Sequence, residues 1–465
     1  MDLSGRRLLV ATIVTGLGVS LSTLTASIVF VSLPSLATAF AVDLGTVQWV
    51  VMSYFIAVSS LHLSMGRIAD LLGRLRVYQA GFVIFIVASA LAGLSPSVEW
   101  LIAARVLQAV GASIVQANGP AIMTHMYPES QRGRALGYFG IFGAAGFFSG
   151  PVLGGIILDV AGWPFVFYAL IPVAAVALVA GLFVLPSVPA VKGGSFDRPG
   201  AILIAFIFAP TVYALNRGFR DGWGSPLVLL AIGTLVVATI LFYLRERSTE
   251  HPLVDLELFR VINFRTALIV SLLGYISIDS VNLLMPFFME RVLGTSTTVV
   301  GFVLASIPVV TGATAVVAGR VSDRLGPRIP RSIGLLGLGI GLASFALLGP
   351  ESGLPQVLAG MVLVGLGRGF FVTPNTSVMM GSLSRERAGL AGGFVASSRT
   401  FGRACGQALW GGVFGMVVVS ITGMAVGDSP VEALLSGYRV AFVAAGAVAG
   451  VAGLVSLYGK AAENG

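Results

Sequence analysis

One carboxylic acid, Asp279, stands deep inside a long apolar stretch of the sequence. It is the only one of the 20 Asp and Glu residues placed in this way. A charge in apolar surroundings is costly, so such a residue usually faces a cavity and has a function. Asp279 is therefore a candidate for reversible protonation. The alternative is a structural hydrogen-bond network with Ser277, Ser280 or Asn282.

Four arginines also fall within apolar stretches: Arg105, Arg368, Arg399 and Arg403. An unpaired guanidinium at such depth costs about 3 kcal/mol or more, so each needs an anion or a wet cavity. One option is an ion pair between Asp279 and Arg105. The excess of positive charge argues against a site built only for cations and is compatible with amphiphiles that carry an anionic group. For Arg399 and Arg403, a structural contact between helices is the alternative.

The other reactive residue types do not form an enzymatic constellation. The single cysteine, Cys405, excludes an intrachain disulfide and a cysteine metal cluster. The histidines are far apart in the sequence, and neither lysine stands in a phosphate-binding Gly-Lys-Ser/Thr motif. The sequence therefore predicts no enzyme, no cofactor and no metal site. His62 is a weaker candidate than Asp279 for a proton-carrying group.

These residues lie in a chain composed almost entirely of apolar segments. Its mean hydropathy is +0.95, and 56% of the residues are hydrophobic whereas 10% are charged. A helix of about 20 apolar residues crosses the hydrocarbon core of a bilayer. The sequence predicts fourteen such helices, over residues 8–34, 45–65, 76–94, 99–123, 134–158, 163–185, 199–216, 225–244, 264–289, 297–319, 332–349, 353–380, 388–423 and 434–458.

The basic residues between the predicted helices are distributed asymmetrically. With the N-terminus in the cytoplasm, cytoplasmic loops hold most of them, including Lys192, Arg385 and Arg387, whereas external loops hold only Arg217, Arg220 and Arg291. Cytoplasmic loops of membrane proteins collect positive charge, so the net charge of +8 indicates topology rather than nucleic-acid binding. We predict a monomeric, multi-pass protein of the prokaryotic inner membrane, in contact with the lipid bilayer and with both termini cytoplasmic.

A short motif occurs twice. Residues 66–74 read GRIADLLGR and residues 319–327 read GRVSDRLGP, and both follow the second helix of a set of six. Their glycines are expected to allow a tight reversal of the chain. The repeat predicts two six-helix bundles, residues 1–185 and 263–465, joined by a linker with two additional transmembrane helices, residues 186–262. Internal repeats place a binding site near the middle of the membrane, between the halves.

A third segment, residues 146–155, reads GFFSGPVLGG. Gly146, Gly150 and Gly154 share one helix face and allow a neighbouring backbone to approach closely, and Pro151 removes a backbone donor and bends the helix. Together with Gly155 they match G-x-x-x-G-P-x-x-G-G at every fixed position. The segment thus resembles the antiporter motif of the major facilitator superfamily, in particular its fourteen-helix drug–proton antiporter branch. Ordinary packing of small residues is the alternative.

Two more segments extend the resemblance over essentially the whole chain. Residues 101–111, LIAARVLQAVG, are similar to the helix 4 motif of the family, which implies a role in proton coupling for Arg105. The duplicated motif resembles a cytoplasmic latch that locks one access state. In this chain the implied gating residues are Asp70, Arg74, Asp323 and Arg324. A basic loop that only sets topology is the alternative for this motif.

The first helix departs from the family pattern. The branch typically has an acid in L-D-x-T-x-V-N-x-A-L-P, but residues 24–34 read LTASIVFVSLP, so Thr25 replaces the acid. A threonine hydroxyl does not release a proton at physiological pH. We therefore assign proton coupling to Asp279, whose helix corresponds to the first by the repeat, with Arg105 as a modulator. The predicted substrate cavity is lined by Thr25, Tyr54, Asn282 and Arg368.

The resemblance implies an all-α transporter of major-facilitator type that works by alternating access. We predict a proton-coupled exporter, of the multidrug type, for hydrophobic or amphiphilic small molecules. Its partners are the substrate and protons, and Gly150 and Pro151 flex the contact between the halves. Thr25 favours an alternative, an uncoupled facilitator or an exporter of an anionic or lipid-like metabolite. An alternative of another class is a membrane sensor without transport.

Overall fold

The computed structural model describes residues 5–186, 196–249, 253–383, 388–424 and 426–458. Lys192, Arg385, Arg387 and both chain termini lie outside these ranges. Within them the chain is helical without strands, and fourteen helices are long and apolar enough to cross a membrane. They are α1 Gly5–Ala39, α2 Trp49–Leu72, α3 Arg74–Gly93, α4 Val98–Met126, α5 Arg132–Ala161, α6 Trp163–Val184, α7 Arg198–Asp221, α8 Pro226–Ser248, α9 Ile262–Arg291, α10 Thr297–Leu325, α11 Arg328–Ser344, α12 Leu354–Gly381, α13 Ala388–Thr422 and α14 Val431–Val455.

The repeated motifs lie in the last turns of α2 and α10 rather than in loops. The prediction of a reversal was therefore wrong for Gly66 and Gly319, which are helical. The chain turns at Gly73 (φ 96°) and Gly326 (φ 77°), in the left-handed region that glycine adopts readily. The prediction failed because hydropathy shows only where an apolar stretch ends. The helices themselves continue beyond that point with charged side chains.

Two groups of six helices surround the centre of the molecule. In the first half, α1 packs against α4, α5 and α6, and α4 packs against α2 and α3. In the second half, α9 packs against α12, α13 and α14, and α12 packs against α10 and α11. The halves meet along two principal seams, which we call the α5–α10 seam and the α2–α13 seam after the helices that form them.

The additional helices α7 and α8 are not equivalent. Helix α7 lies over the α2–α13 seam: Phe208 stacks on Phe401 of α13 with 4.0 Å between ring centroids, and Trp49 Nε1 of α2 donates to Asn216 Oδ1 at 3.2 Å. Helix α8 packs mainly against α7. Its apolar side chains are largely exposed, Leu230 by 66%, as expected for a surface that faces lipid.

The α5–α10 seam is closed at one end of the molecule and open at the other. We call the end with the turns at Gly73 and Gly326 the basic end. At the opposite end α5 and α10 touch: a Cβ on Gly301 would lie 3.0 Å from the carbonyl carbon of Pro151. Toward the basic end, Gly137 of α5 and Gly312 of α10 continue the same helix faces, and a Cβ on either would meet no atom within 4 Å.

Candidate functional site

Asp279 lies in the middle of α9 with its side chain fully buried. Asn282 Nδ2 donates to Asp279 Oδ1 at 2.6 Å, and Gln407 Nε2 of α13 donates to Oδ2 at 3.4 Å. Ser277 and Ser280, the other candidates for this network, donate to carbonyl groups of α9 itself. In the described part of the chain no arginine nitrogen lies within 4.0 Å of the carboxylate.

Glycines on α13 bring its backbone directly against α9 at this point. A Cβ on Gly402 would lie 3.0 Å from Tyr275 Cβ, and a Cβ on Gly406 would lie 3.0 Å from Asp279 Cβ. Trp410 Nε1, one turn further along α13, donates to Ile276 O at 2.7 Å. Small residues permit such close packing in a membrane. The carboxylate is therefore held at a fixed position against α13.

Arg403 of α13 is surrounded by aromatic rings from both halves. Its guanidinium carbon lies 4.5 Å from the ring centroid of Phe147 on α5, and 5.7 Å from those of Phe55 on α2 and Tyr275 on α9. The side chain is 5% exposed. Cations are attracted to the faces of aromatic rings at these distances. We call Phe55, Phe147 and Tyr275 the aromatic cage.

Two more arginines belong to the same cluster. Arg368 of α12 lies 5.5 Å from the Phe147 ring centroid, so two guanidiniums flank one ring. Arg368 and Arg403 are within electrostatic range of Asp279 and of each other, and Arg399 is within electrostatic range of both arginines. The Nε atoms of Arg368 and Arg403 have no hydrogen-bond partner among the described residues. The cluster thus combines three positive charges with one carboxylate.

Arg105 belongs to a different network, inside the first half. Its Nε donates to Val50 O at 3.1 Å, a terminal nitrogen donates to Gln108 Oε1 at 2.5 Å, and its guanidinium lies 4.2 Å from the Tyr54 ring centroid. The structure brings Asp279 together with Arg403 and Arg368 rather than with Arg105. The buried charge of Arg105 is therefore stabilised by hydrogen bonds and a cation–π contact rather than by an ion pair.

The four predicted cavity residues are divided between these places. Asn282 and Arg368 adjoin Asp279, whereas Tyr54 adjoins Arg105 and donates its hydroxyl hydrogen to Ser22 O at 3.1 Å. Thr25 is fully buried on α1, and its hydroxyl has no hydrogen-bond partner in the described part of the chain.

The glycines of the antiporter motif face two different helices. Gly146, Gly150 and Gly154 lie against α1, where an added Cβ would meet Ser20, Ser27 or Ile28. Gly155 lies against α10, where a Cβ would be 3.0 Å from the carbonyl carbon of Thr297. Pro151 presents its carbonyl group to Gly301 of α10. The motif is therefore in contact with both halves.

Asp159 links the end of α5 to the beginning of α10, a role that we did not predict from the sequence. Its carboxylate accepts from Thr298 N at 2.9 Å, from Thr298 Oγ1 at 2.5 Å and from the Thr297 hydroxyl. A carboxylate at a helix N-terminus satisfies free N–H groups and interacts favourably with the helix dipole. Asp159 thus caps a helix of the other half.

The predicted gating residues lie at the basic end. Arg74 and Asp70 form an ion pair at 2.6 Å, one turn apart. Asp323 and Arg324 are exposed, and within the described residues neither forms an ion pair.

Comparisons with known proteins agree with this architecture. The family model described as Major Facilitator Superfamily matches residues 15–407. The chain is 34% identical to the riboflavin transporter RibZ of Clostridioides difficile, over 86% of each protein. It is 32% identical to the multidrug resistance protein Stp of Mycobacterium tuberculosis, over 88% of this chain and 76% of that protein. A bacterial homologue of the human lysosomal transporter Spinster, solved in an inward-facing and unoccupied conformation, superposes with a TM-score of 0.69 at 17% identity and covers 98% of each chain.

Proposed function

This chain is a membrane transporter of the major facilitator superfamily, and we propose that it exports hydrophobic or amphiphilic small molecules in exchange for protons. The relatives named for riboflavin transport and for multidrug resistance support a substrate with a large apolar part. The cluster around Asp279 supports the coupling to protons. A transporter that works by alternating access needs a site near the middle of the membrane that is open to one side of the membrane at a time.

The observation that carries the proposal is the position of Asp279. It is a fully buried carboxylate on a helix that lines the interface, and it interacts with Arg403, which contacts rings of the other half. Gain or loss of one proton changes the charge of this interface by a full unit. In a medium of low dielectric such a change is worth several kcal/mol, enough to alter which end of the interface is closed.

We propose that the basic end is cytoplasmic and that the structure is therefore open toward the cytoplasm. The bodies that rock are residues 1–185 and 263–465, connected through the linker at residues 186–262. In the opposite state α5 and α10 separate where Asp159 and Gly155 now hold them, and the basic end closes. Asp70, Arg74, Asp323 and Arg324 would then form the latch of that closed end.

The test is proton-driven transport in proteoliposomes that contain the purified chain. We expect a pH gradient, acidic on the side of the proposed exterior, to drive accumulation of a neutral amphiphile on that same side. Asp279→Asn keeps the shape of the side chain and removes the titrating group. We expect this variant to lose the response to the gradient while it still exchanges labelled substrate across the membrane.

Glu257→Gln is the matched control, because Glu257 is an exposed carboxylate in a short helix between α8 and α9. This variant should transport like the native protein. Transport by Asp279→Asn that still follows the pH gradient would contradict the assignment of Asp279 as the proton carrier.

A second candidate function is uncoupled export of an anionic amphiphile. The excess of guanidiniums over carboxylates in the cluster favours it, and so does Thr25. An inside-negative membrane potential alone would drive such an anion outward, with about 2.3 kcal/mol per charge at 100 mV. The same proteoliposomes separate the two functions: this candidate responds to a potassium diffusion potential and is indifferent to a pH gradient.

A further inference from the structure

We propose that the aromatic cage is the subsite for a planar, uncharged aromatic part of the substrate, and that Arg403 is a competitor for this subsite that belongs to the protein. The proposal specifies a substrate class for the proposed export function and rests on it. It concerns the rings of Phe55, Phe147 and Tyr275 and two alternative positions of the Arg403 guanidinium, which lies either over these rings or beside Asp279.

The cage is placed where a transported molecule must bind. Its rings come from α2 and α5 in the first half and from α9 in the second. A molecule bound among them contacts both bodies at once, as alternating access requires. Phe147 lies one position from the antiporter motif residue Gly146, at the depth where Gly146 packs against Ser20 of α1.

The present occupant of the cage is held weakly for so deep a position. Arg403 is 5% exposed, but its Nε has no hydrogen-bond partner in the described residues. Arg331, a buried arginine of α11 whose Nε likewise has no partner among the described residues, is anchored by its terminal nitrogens, which donate to Ser456 O at 2.7 Å and to Asn375 Oδ1 at 3.3 Å. Arg403 therefore lacks the polar anchors that fix a structural arginine in place.

Asp279 offers Arg403 a second position. The two residues are within electrostatic range, and Gln407, one turn after Arg403 on α13, already touches the carboxylate. An arginine side chain is long and flexible, so a change of rotamer can move the guanidinium from the rings to the carboxylate. An ionised Asp279 attracts it and a protonated Asp279 does not.

Other charged and titratable groups influence which of the two positions the Arg403 guanidinium occupies. Arg368 of α12 acts on Asp279 and Arg403, and Arg399 of α13 acts on Arg403. Tyr275 of α9 is part of the cage. On α2, His62 is within electrostatic range of Arg399. Since the additional arginines repel a second cation from the cage, they also favour the movement of Arg403 toward the ionised carboxylate.

This competition produces an exchange of substrate for a proton. When Asp279 is ionised, Arg403 moves to it and leaves its place over the rings to the substrate, while Arg368 stays beside the Phe147 ring. When Asp279 takes up a proton, Arg403 returns to the rings and displaces the substrate. Proton and substrate then exclude each other without direct contact, and each weakens the binding of the other by the same factor.

The charges nearby define the chemical class of the substrate. The rings can stack on a flat polycyclic or heteroaromatic group, and contacts of this kind contribute about 0.5–1.5 kcal/mol per ring pair beyond burial. Arg368 and Arg399 disfavour a cationic group at the same place. An uncharged planar group is therefore preferred over a cationic one.

The test measures equilibrium binding to the full-length protein in detergent with three probes that share one ring system. The probes are 2-(2-naphthyloxy)ethanol, its amine analogue 2-(2-naphthyloxy)ethylamine and 2-naphthoxyacetate, which are neutral, cationic and anionic respectively. For the native protein we expect the neutral probe to bind more tightly than the amine, and to bind more weakly as the pH falls.

Two substitutions should act in opposite directions on the neutral probe. Asp279→Asn leaves Arg403 over the rings and should weaken binding by about fivefold to tenfold, whereas Arg403→Gln frees the rings and should tighten it by a similar factor and abolish its pH dependence. Phe147→Leu should weaken binding, about tenfold, because one ring of the cage is lost. Arg403→Met, which keeps the apolar stem, carries the same prediction as Arg403→Gln if that variant does not fold.

Arg247→Gln, which changes an exposed arginine of α8, is the control and should bind all probes like the native protein. Weaker binding of 2-naphthoxyacetate together with unchanged binding of the neutral probe in Arg403→Gln would overturn the proposal, since Arg403 would then be a direct anion ligand. Equal effects of Asp279→Asn and Arg403→Gln would overturn it too. Binding as expected but without flux in proteoliposomes would instead contradict the proposed export function.

Discussion

The two seams between the halves are built on different principles. In the α5–α10 seam, backbone lies against backbone through Gly155 and Gly301, and Asp159 caps the other half. In the α2–α13 seam, long side chains such as Arg403 cross between the halves, and α7 lies over them. The first seam is held by close backbone packing and by a helix cap, whereas the second carries the charged site. We therefore expect the α5–α10 seam to provide most of the opening and closing movement, and the α2–α13 seam to contain the charged site that responds to protons.

The largest effect is expected from a methyl group added to the backbone contact of the α5–α10 seam. Gly301→Ala places a Cβ against the carbonyl group of Pro151, and neither backbone can yield easily. Overpacking of this kind costs about 1–3 kcal/mol, so the closed end becomes unfavourable. We expect transport in proteoliposomes to fall by about tenfold to a hundredfold. Gly312→Ala, on the same face where no atom lies within 4 Å, should transport normally, and equal damage in both variants would argue against a special α5–α10 contact.

The corresponding change in the other seam should cost less. A Cβ on Gly411 of α13 would lie 2.8 Å from Gln48 Cδ. This atom belongs to a side chain, which can change its rotamer to avoid the contact. We therefore expect Gly411→Ala to reduce transport by about threefold to tenfold, for a cost near 1 kcal/mol. Gly415→Ala, one turn further along α13 with open space around it, is the control. A loss as large as that of Gly301→Ala would remove the distinction between the seams.

A substitution of Asp159 tests which contacts hold the α5–α10 seam closed. Asp159→Asn removes the negative charge at the beginning of α10, and such a charge contributes about 0.3–1 kcal/mol at a helix N-terminus. The population should shift toward separation of α5 and α10 at the end opposite the basic end. Spin labels at Val160→Cys and Arg291→Cys, in a chain whose native Cys405 is buried, should report a larger fraction of long distances. Asp221→Asn, at the end of α7, should leave the distance distribution unchanged.

The smallest effect is expected where α7 covers the α2–α13 seam. Phe208→Ala removes the ring that stacks on Phe401, an interaction of about 1 kcal/mol beyond its buried area. The melting temperature in detergent should fall by a few degrees, with little change in substrate affinity. Phe206→Ala removes an exposed ring of the same helix, 53% accessible, and should melt like the native protein. An equal shift for both variants would mean that α7 only connects the halves.

The sequence predicted the helices well because each needs a long apolar stretch, and a bilayer leaves few alternatives to helices. It also led to the hypothesis about Asp279 through the rarity of carboxylates at such depth, and the structure places the predicted neighbour Asn282 in hydrogen-bond contact with it. It did not predict the aromatic cage, since Phe55, Phe147 and Tyr275 come from three helices and aromatic residues are common in membranes. The role of Asp159 was missed for a related reason, because its partners Thr297 and Thr298 belong to the other half of the chain.

The cluster of three guanidiniums around one carboxylate makes this protein sensitive to membrane voltage. A net positive site near the middle of the bilayer experiences the transmembrane field whether or not a substrate is bound, and each charge is worth about 2.3 kcal/mol per 100 mV for a full crossing. An inside-negative potential attracts such a site toward the cytoplasm. With the basic end in the cytoplasm, as proposed above, we expect the resting voltage of a cell to return the unloaded protein to the conformation described above, and its reorientation to generate a measurable current.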